Sequence, residues 1–253
     1  MNNIQPKTLF TGKKSIYLPT CHSTNDWASQ KIQSESLDEG TIVLTDNQTH
    51  GKGQRGNKWY AEPGKNLTFT LIYKPFFLPV LEQFKLNVAV SLAIADALSV
   101  FVKNQEVKIK WPNDIFVGQK KVGGILIESM IAGNVLANSM IGVGVNINQH
   151  HFSVPLATSL KNLTNQTFEK ENVLETLCEC IEKEYLLLKS GSFALQKERY
   201  LARMFRREEW YTYLENGKEF EGRIKGIGQD GRLLMETRLG LIQFGNKEFE
   251  YII

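Results

Sequence analysis

The sequence predicts an α+β domain followed by a small all-β unit. Three observations carry that reading. Helix-like and strand-like segments interleave as far as Phe205. Near Arg207 the pattern changes: from Tyr211 to Ile253 only short strand runs remain, parted by the turn signals Asn216-Gly217, Gln229-Asp230-Gly231 and Gly245-Asn246. The 253 residues suffice for one large core plus an appendage, whereas a tail of about 45 residues is marginal alone and is expected to pack on the larger part. The predicted division is 1–208 and 209–253.

In chain order, Ser23 to Ile32 reads as a helix start, with Ser23 or Thr24 as cap and Asp26 favouring the positive end. Thr41–Thr45 and Leu67–Tyr73 are β-branched or apolar runs and read as strands. Gln48 to Lys58 is a polar loop. Gln83 to Val102 reads as a long helix, apolar nearly all round and therefore buried. Val107 to Trp111 alternates, with Lys108 and Lys110 facing away from Val107, Ile109 and Trp111, and Pro112 ends the strand. Ile115–Val117 and Val122–Glu128 read as strands about a turn at Gly118-Gln119, and Val135–Asn148 as another. A helix capped by Asn172, with Glu175 three residues on, keeps Val173, Leu177, Ile181, Tyr185 and Leu188 on one face. Phe193 to Phe205 is the last predicted helix. The tail holds strands at Phe220–Ile227, Leu233–Glu236, Leu241–Phe244 and Phe249–Ile253.

Hydrophobic residues at 42% and charged residues at 23% fit an ordered globular chain. Thirty basic against 27 acidic residues leave +3, too little to imply nucleic acid by bulk charge. Cys21, Cys178 and Cys180 give no disulfide framework, and Cys178-Glu179-Cys180 lacks a second cluster to make a zinc site. Leu86 to Val102, holding Asn87, Ser91 and Asp96, reads as too short and too polar to span a bilayer. With no secretory signal at the start, a cytoplasmic location is the expectation.

Four segments bear chemistry. His50 to Trp59 places three glycines within six positions beside Lys52, Arg55 and Lys58, the composition of an anion cradle, although an exposed loop has the same look. Lys110-Trp111-Pro112-Asn113-Asp114 ends a strand in a carboxylate that suits a hard cation or merely a turn. In Lys120-Lys121-Val122-Gly123-Gly124 a lysine precedes a glycine pair that permits close approach of a ligand or another backbone. Gly142-Val143-Gly144 inside a strand makes either a floor under a flat ligand or a bulge.

Together, in this order and wording, these segments with Ser23-Thr24-Asn25 and Gly142–Asn146 resemble the biotin protein ligase family, from about Ser23 to the C-terminus. The resemblance implies a mixed sheet with helices, like that of class II aminoacyl-tRNA synthetases, and a C-terminal SH3-like barrel. It implies activation of biotin by MgATP to biotinyl-5′-AMP and transfer to a lysine of a biotin carboxyl carrier protein, with ATP, Mg²⁺ and biotin as substrates and no permanent cofactor. Lys121 and Asp114 would be catalytic. Ser23, Thr24, Asn25, Gln48, Gly51, Lys52, Gly53, Gln54, Lys121, Gly123 and Gly124 would bind biotin. Arg55, Trp59, Asn113, Asp114, Gly142 and Asn146 would bind ATP or the adenylate, Asp114 meeting Mg²⁺ through the phosphates.

The loop departs from the family's usual Gly-Arg-Gly-Arg-x-Gly: Lys52 and Gln54 replace the arginines, and Gln54 removes a charge. A lipoate or octanoate ligase, a biotin-binding protein without catalysis and a nucleic-acid binder are the alternatives. Twenty-two residues precede Ser23, fewer than a three-helix DNA-reading unit needs, so the expectation is the monofunctional type, with neither DNA nor membrane as partner. Whether the chain forms a homodimer stays open.

Overall fold

The computed structural model describes residues 4–252, the side chain of Arg55 excepted. Its larger sheet has seven strands: β1 (Ser15–Cys21), β2 (Ile42–Gln48), β3 (Leu67–Tyr73), β4 (Val107–Lys110), β5 (Asp114–Val117), β6 (Lys120–Ala132) and β7 (Val135–Val145). They lie in the order β1-β2-β3-β7-β6-β5-β4, with β1 and β2 parallel and every other pair antiparallel. The helices are α1 (Thr24–Ser34), α2 (Phe84–Phe101), α3 (Leu160–Thr164), α4 (Lys170–Lys189) and α5 (Phe193–Ala202).

Period-two alternation decides which side chain meets which layer. Ile42, Leu44, Phe69, Leu71, Ile141 and Val143 join the main core with α2 and α4. The residues between them, Val43, Ile72 and Met140, belong to a smaller cluster with Ala28 of α1. The sheet is therefore covered by long helices on one face and by α1 alone on part of the other. That uncovered part is where polar and glycine residues fall.

The segment Val80–Phe101, one short turn plus α2, is 22 residues long and by length and composition alone could cross a bilayer. This corrects the expectation of too short and too polar a segment. In the fold, its residues from Leu86 to Ala95 are all buried against the sheet and its neighbouring helices.

Elements absent from the sequence reading have local reasons. β1 contains Pro19, which cannot donate to a ladder and is tolerated on an edge strand. α3 is five residues long, capped by Ser159, whose Oγ accepts from Asn162 N at 3.1 Å. The expected Asn172 cap is corrected: α4 starts at Lys170 behind Glu169, which makes no side-chain cap. Asn148 holds Phe168 through two bonds of 2.8 and 3.0 Å, and Lys170 pairs with Asp46 at 3.0 Å, so tertiary anchors set the helix start. The α4 face from Val173 to Leu188 is buried as its spacing predicts.

Three glutamates on α4 tie down the N-terminal segment. Glu175 accepts from Gln5 N (2.6 Å), Glu179 from Lys7 N (2.9 Å), and Glu182 from Leu9, Phe10 and Thr11 N (2.5, 2.9 and 2.8 Å).

The C-terminal sheet comprises β8 (Trp210–Glu215), β9 (Lys218–Ile227), β10 (Leu233–Thr237), β11 (Gly240–Phe244) and β12 (Glu250–Tyr251), in the order β11-β10-β9-β8-β12, all antiparallel. Asn216 (φ 50°) and Gly217 (φ 77°) both take the positive φ that a tight hairpin needs. Tyr213, Ile224, Leu233, Met235, Phe244 and Phe249 form its interior and continue into the main core. Trp111 joins the two units: its Nε1 donates to Gly231 O at 3.0 Å and its ring stacks on Phe249.

Candidate functional site

A cleft of about 590 Å³ opens on the face that α1 leaves uncovered. Its floor follows from strand register. Gly144 of β7 lies opposite Thr68 of β3 and Gly124 of β6; two residues along, Gly142 lies opposite Thr70 and Leu126. β3 and β7 thus put small or polar groups on this face, and β6 adds Gly124 and Leu126, while Phe69, Val143 and Ile125 belong to the core.

The two glycines of β7 serve different neighbours. A Cβ on Gly142 would stand 2.7 Å from Asn25 Oδ1, and one on Gly144 would stand 2.4 Å from Trp59 Cε2. Asn25 rests on the first and the Trp59 indole on the second. The indole also covers Gly124, whose Cβ would lie 3.5 Å away, and Lys121 Nζ sits 5.8 Å from its ring centre. The flat group on the Gly-x-Gly floor is therefore the chain's own tryptophan.

At the α1 end, Ser23 caps the helix, its Oγ accepting from Asp26 N at 3.4 Å. Gln48 Oε1 accepts from Thr24 N (2.8 Å) and Thr24 Oγ1 (3.2 Å), while its amide nitrogen lies against Gly51. Thr70 Oγ1 lies 2.8 Å from Thr24 Oγ1 and 2.6 Å from Asn25 Oδ1. Asn25 Nδ2 donates to Leu126 O and Glu128 Oε2, so both amide protons are used within the fold.

In the middle, Lys121 Nζ pairs with Asp114 Oδ1 at 2.5 Å, both partly exposed to the cleft. Asn113 donates from Nδ2 to Ile125 O while Ile125 N returns a bond to Asn113 O. Lys110, missed by the sequence reading as a site residue, lines the cleft with Nζ 4.4 Å from the Tyr251 ring centre; burial pulls its ammonium below the usual lysine value. At the far end, Asn146 Nδ2 donates to Thr158 O (2.9 Å), but its Oδ1 is buried without a partner, as is Trp59 Nε1. Buried polar atoms of that kind cost free energy unless something meets them, and here both line the cleft.

The loop between Gln48 and Trp59 folds back on itself. Trp59 N donates to Gly51 O (2.9 Å) and Gly53 N to Asn57 O (2.7 Å), around a 3₁₀ turn at Gln54–Gly56. Lys52 Nζ pairs with Asp26 at 2.6 Å, and that hydrogen bond raises its ammonium above the usual value.

The structure brings most of the predicted residues to one cleft and moves several. Gly123 lies outside it: a Cβ there would meet Gly144 O, Val145 and Ile115. Gly51 also lies outside, leaving room instead for Trp59 O and Gln48 Nε2. Gly142 underlies Asn25 rather than the far end. Lys52 is engaged with Asp26, and Gln54 Oε1 accepts from Asn246 Nδ2 of the C-terminal sheet. The Arg55 side chain lies outside the described residues. Thr68, which lines the cleft, and Thr70, buried behind it against Thr24 and Asn25, were missed, whereas Gly144 was read as part of the Gly-x-Gly floor; the alternation of Thr68-Phe69-Thr70 against Gly142-Val143-Gly144 was the available signal.

Comparison with known proteins fits this geometry. The model of the biotin/lipoate A/B protein ligase family matches residues 17–146. The chain belongs to that family. Among curated relatives, a bifunctional ligase/repressor BirA of Bacillus spizizenii is 29% identical over 252 residues, covering 96% of this chain and 76% of the relative. A biotin–[acetyl-CoA-carboxylase] ligase of Paracoccus denitrificans is 30% identical over 205 residues, 78% of this chain and 85% of its own length. The solved structure of a biotin protein ligase from Aquifex aeolicus in complex with biotin and ATP superposes with a TM-score of 0.77 at 26% identity, covering 94% of this chain and 98% of that one. The ligase family's residue match spans β1 to β7, the strands that carry the glycine floor.

Proposed function

We propose that this chain is a biotin protein ligase, which activates biotin with MgATP and transfers it to a lysine of a biotin carboxyl carrier domain. The observation that carries the reading is the succession along one face of β7 and the residue just past its end. Gly142 with Asn25, Gly144 with Trp59 and Asn146 follow at two-residue steps, each about 6.7 Å on. A hydrogen-bonding end, a cationic middle and an end with unpaired polar atoms suit a ureido ring, a carboxylate and phosphate, and a nucleoside in that order.

The polar end favours biotin over lipoate or octanoate. A ureido group offers one carbonyl and two N–H groups, and Thr24 and Gln48 are the polar residues that line the cleft at this end, with Thr70 behind them holding Thr24 and Asn25. An alkyl or dithiolane tail offers this polar end no hydrogen-bonding partner.

In the first step a biotin carboxylate oxygen bonds to the α-phosphorus of ATP, the bond to the bridging oxygen breaks and pyrophosphate leaves with that electron pair. Two anions meet, so the work of the protein is electrostatic. Lys121, in the middle of the cleft, is the cation this reading assigns to the meeting of carboxylate and α-phosphate. Asp114 pairs with the lysine at 2.5 Å and, in this reading, would lie beside the phosphates. Mg²⁺ would arrive with ATP as part of the substrate. In the second step a carrier lysine amine attacks the acyl carbon, loses a proton, and AMP leaves. Trp59 and the folded loop keep water from the mixed anhydride.

The division into a catalytic part, 1–208, and a C-terminal part, 209–253, belongs to this reading, as does the carrier domain as partner. Incubation with biotin, MgATP and a carrier domain, followed by mass spectrometry of the carrier, tests it: one biotinyl group on one lysine is expected, and an unmodified carrier in the presence of active positive-control ligase contradicts it.

A further inference from the structure

The sequence holds four histidines, and they fall in two pairs. His150 and His151 stack at 4.6 Å, but His150 Nδ1 is already bonded to Asn162 Oδ1 at 2.7 Å. The pair at the rim of the cleft is arranged differently. Nδ1 of His22 and Nδ1 of His50 face each other at 3.1 Å, and Thr49 Oγ1 lies 2.7 and 3.0 Å from the two nitrogens. Three atoms with lone pairs converge on one point.

The convergence is set by the sheet. β1 and β2 run parallel with Cys21 opposite Gln48, and their ladder continues one step further: Thr49 N donates to Cys21 O and His50 N to His22 O, both at 2.9 Å. The two imidazoles therefore project from a fixed backbone pair.

We propose that His22 and His50 bind one divalent transition-metal ion of the zinc class at the rim of the cleft. Two imidazole nitrogens each about 2.0–2.1 Å from a tetrahedral zinc lie about 3.3–3.4 Å apart, so the observed spacing needs a shift of only a few tenths of an ångström. The ion would replace the direct hydrogen-bonded contact between the two nitrogens. No third His, Cys, Asp or Glu completes a cluster among the described residues, so water fills the other positions and the affinity is micromolar rather than that of a closed structural site. The cysteines compete poorly as thiolates: burial pushes Cys178 up to about 12 and Cys180 to about 11, and raises Cys21 as well. His22 precedes the Ser23 cap and His50 precedes Gly51, so a bound ion would pin together the starts of α1 and of the glycine-bearing loop.

Isothermal titration of zinc chloride into the chelator-treated full chain, without nucleotide, tests this. One ion of micromolar affinity is expected, weakened at least tenfold in His22→Gln and in His50→Gln and unchanged in His151→Gln. Thermal melts of the metal-free variants matching the parent would show that folding is intact. Cu²⁺ bound to the parent should show two-nitrogen coupling in its electron paramagnetic resonance spectrum. Absence of zinc binding, equal binding by the His22→Gln/His50→Gln double variant, or an equal loss in His151→Gln would each overturn the site.

Discussion

Lys121 reaches both Asp114 and the Trp59 ring, and its place on a glycine-flanked strand leaves it open to the cleft. Lys121→Ala should slow biotinyl-AMP formation by about 100-fold or more, since removing a charge at a reacting phosphate costs several kcal/mol in the transition state. Single-turnover pyrophosphate release checks this; an unchanged rate would remove Lys121 from the chemistry. Gly144→Val tests the floor. Its side chain would start 2.4 Å from the Trp59 ring, so the indole must leave. The expected outcome is a shifted tryptophan emission and a raised KM for ATP with little change in stability. At this scale the motifs were legible because residue type and spacing name them. Partners at long range were not: nothing in the sequence says that Gln54 is bonded to Asn246, 192 positions away, or that Lys52 pairs with Asp26.

Strands and helices were read most readily where periodicity is strong. Leu67–Tyr73 and the buried face of α4 follow their spacing, whereas β1 hides behind Pro19 and α4 begins where Asn148 and Asp46 anchor it. The N-terminal segment has no periodicity at all, and it is ordered by glutamates on α4. Burial pushes the Glu182 carboxyl up, but three backbone N–H donors outweigh it and hold the group below its ordinary value of 4.5. A depressed carboxyl stabilises the fold above its unfolded value and loses that contribution as pH falls through the lower, folded value. Glu182→Gln should therefore cost about 2 kcal/mol at neutral pH, with the difference from the parent shrinking below pH 4.5. Urea midpoints across pH measure it; a gap independent of pH would show that shape rather than charge holds the segment.

Over the whole molecule, the C-terminal sheet does more than cover apolar surface. It meets the glycine-bearing loop through Asn246–Gln54 and through Lys247 Nζ to Asn57 Oδ1 at 3.3 Å, and it lends Phe249 and Tyr251 to the cleft wall. Asn246→Ala should free the loop, so trypsin should cut at Lys52 or Lys58 faster than in the parent, and biotin with MgATP should slow that cleavage in both. Equal cleavage of variant and parent would mean that the loop holds itself closed. The change of pattern near Arg207 made this unit legible as a separate sheet. Its contact with the loop was not, because it rests on turn residues whose type signals only the turn. The central claim, that the cleft activates biotin, is tested most directly by quench-flow measurement of acyl-AMP formed from MgATP with biotin, lipoate or octanoate as acid. The account predicts stoichiometric biotinyl-AMP and pyrophosphate with biotin, and at least tenfold slower reaction with the other acids. Equal or faster reaction with lipoate or octanoate, or no acyl-AMP with biotin, would contradict it.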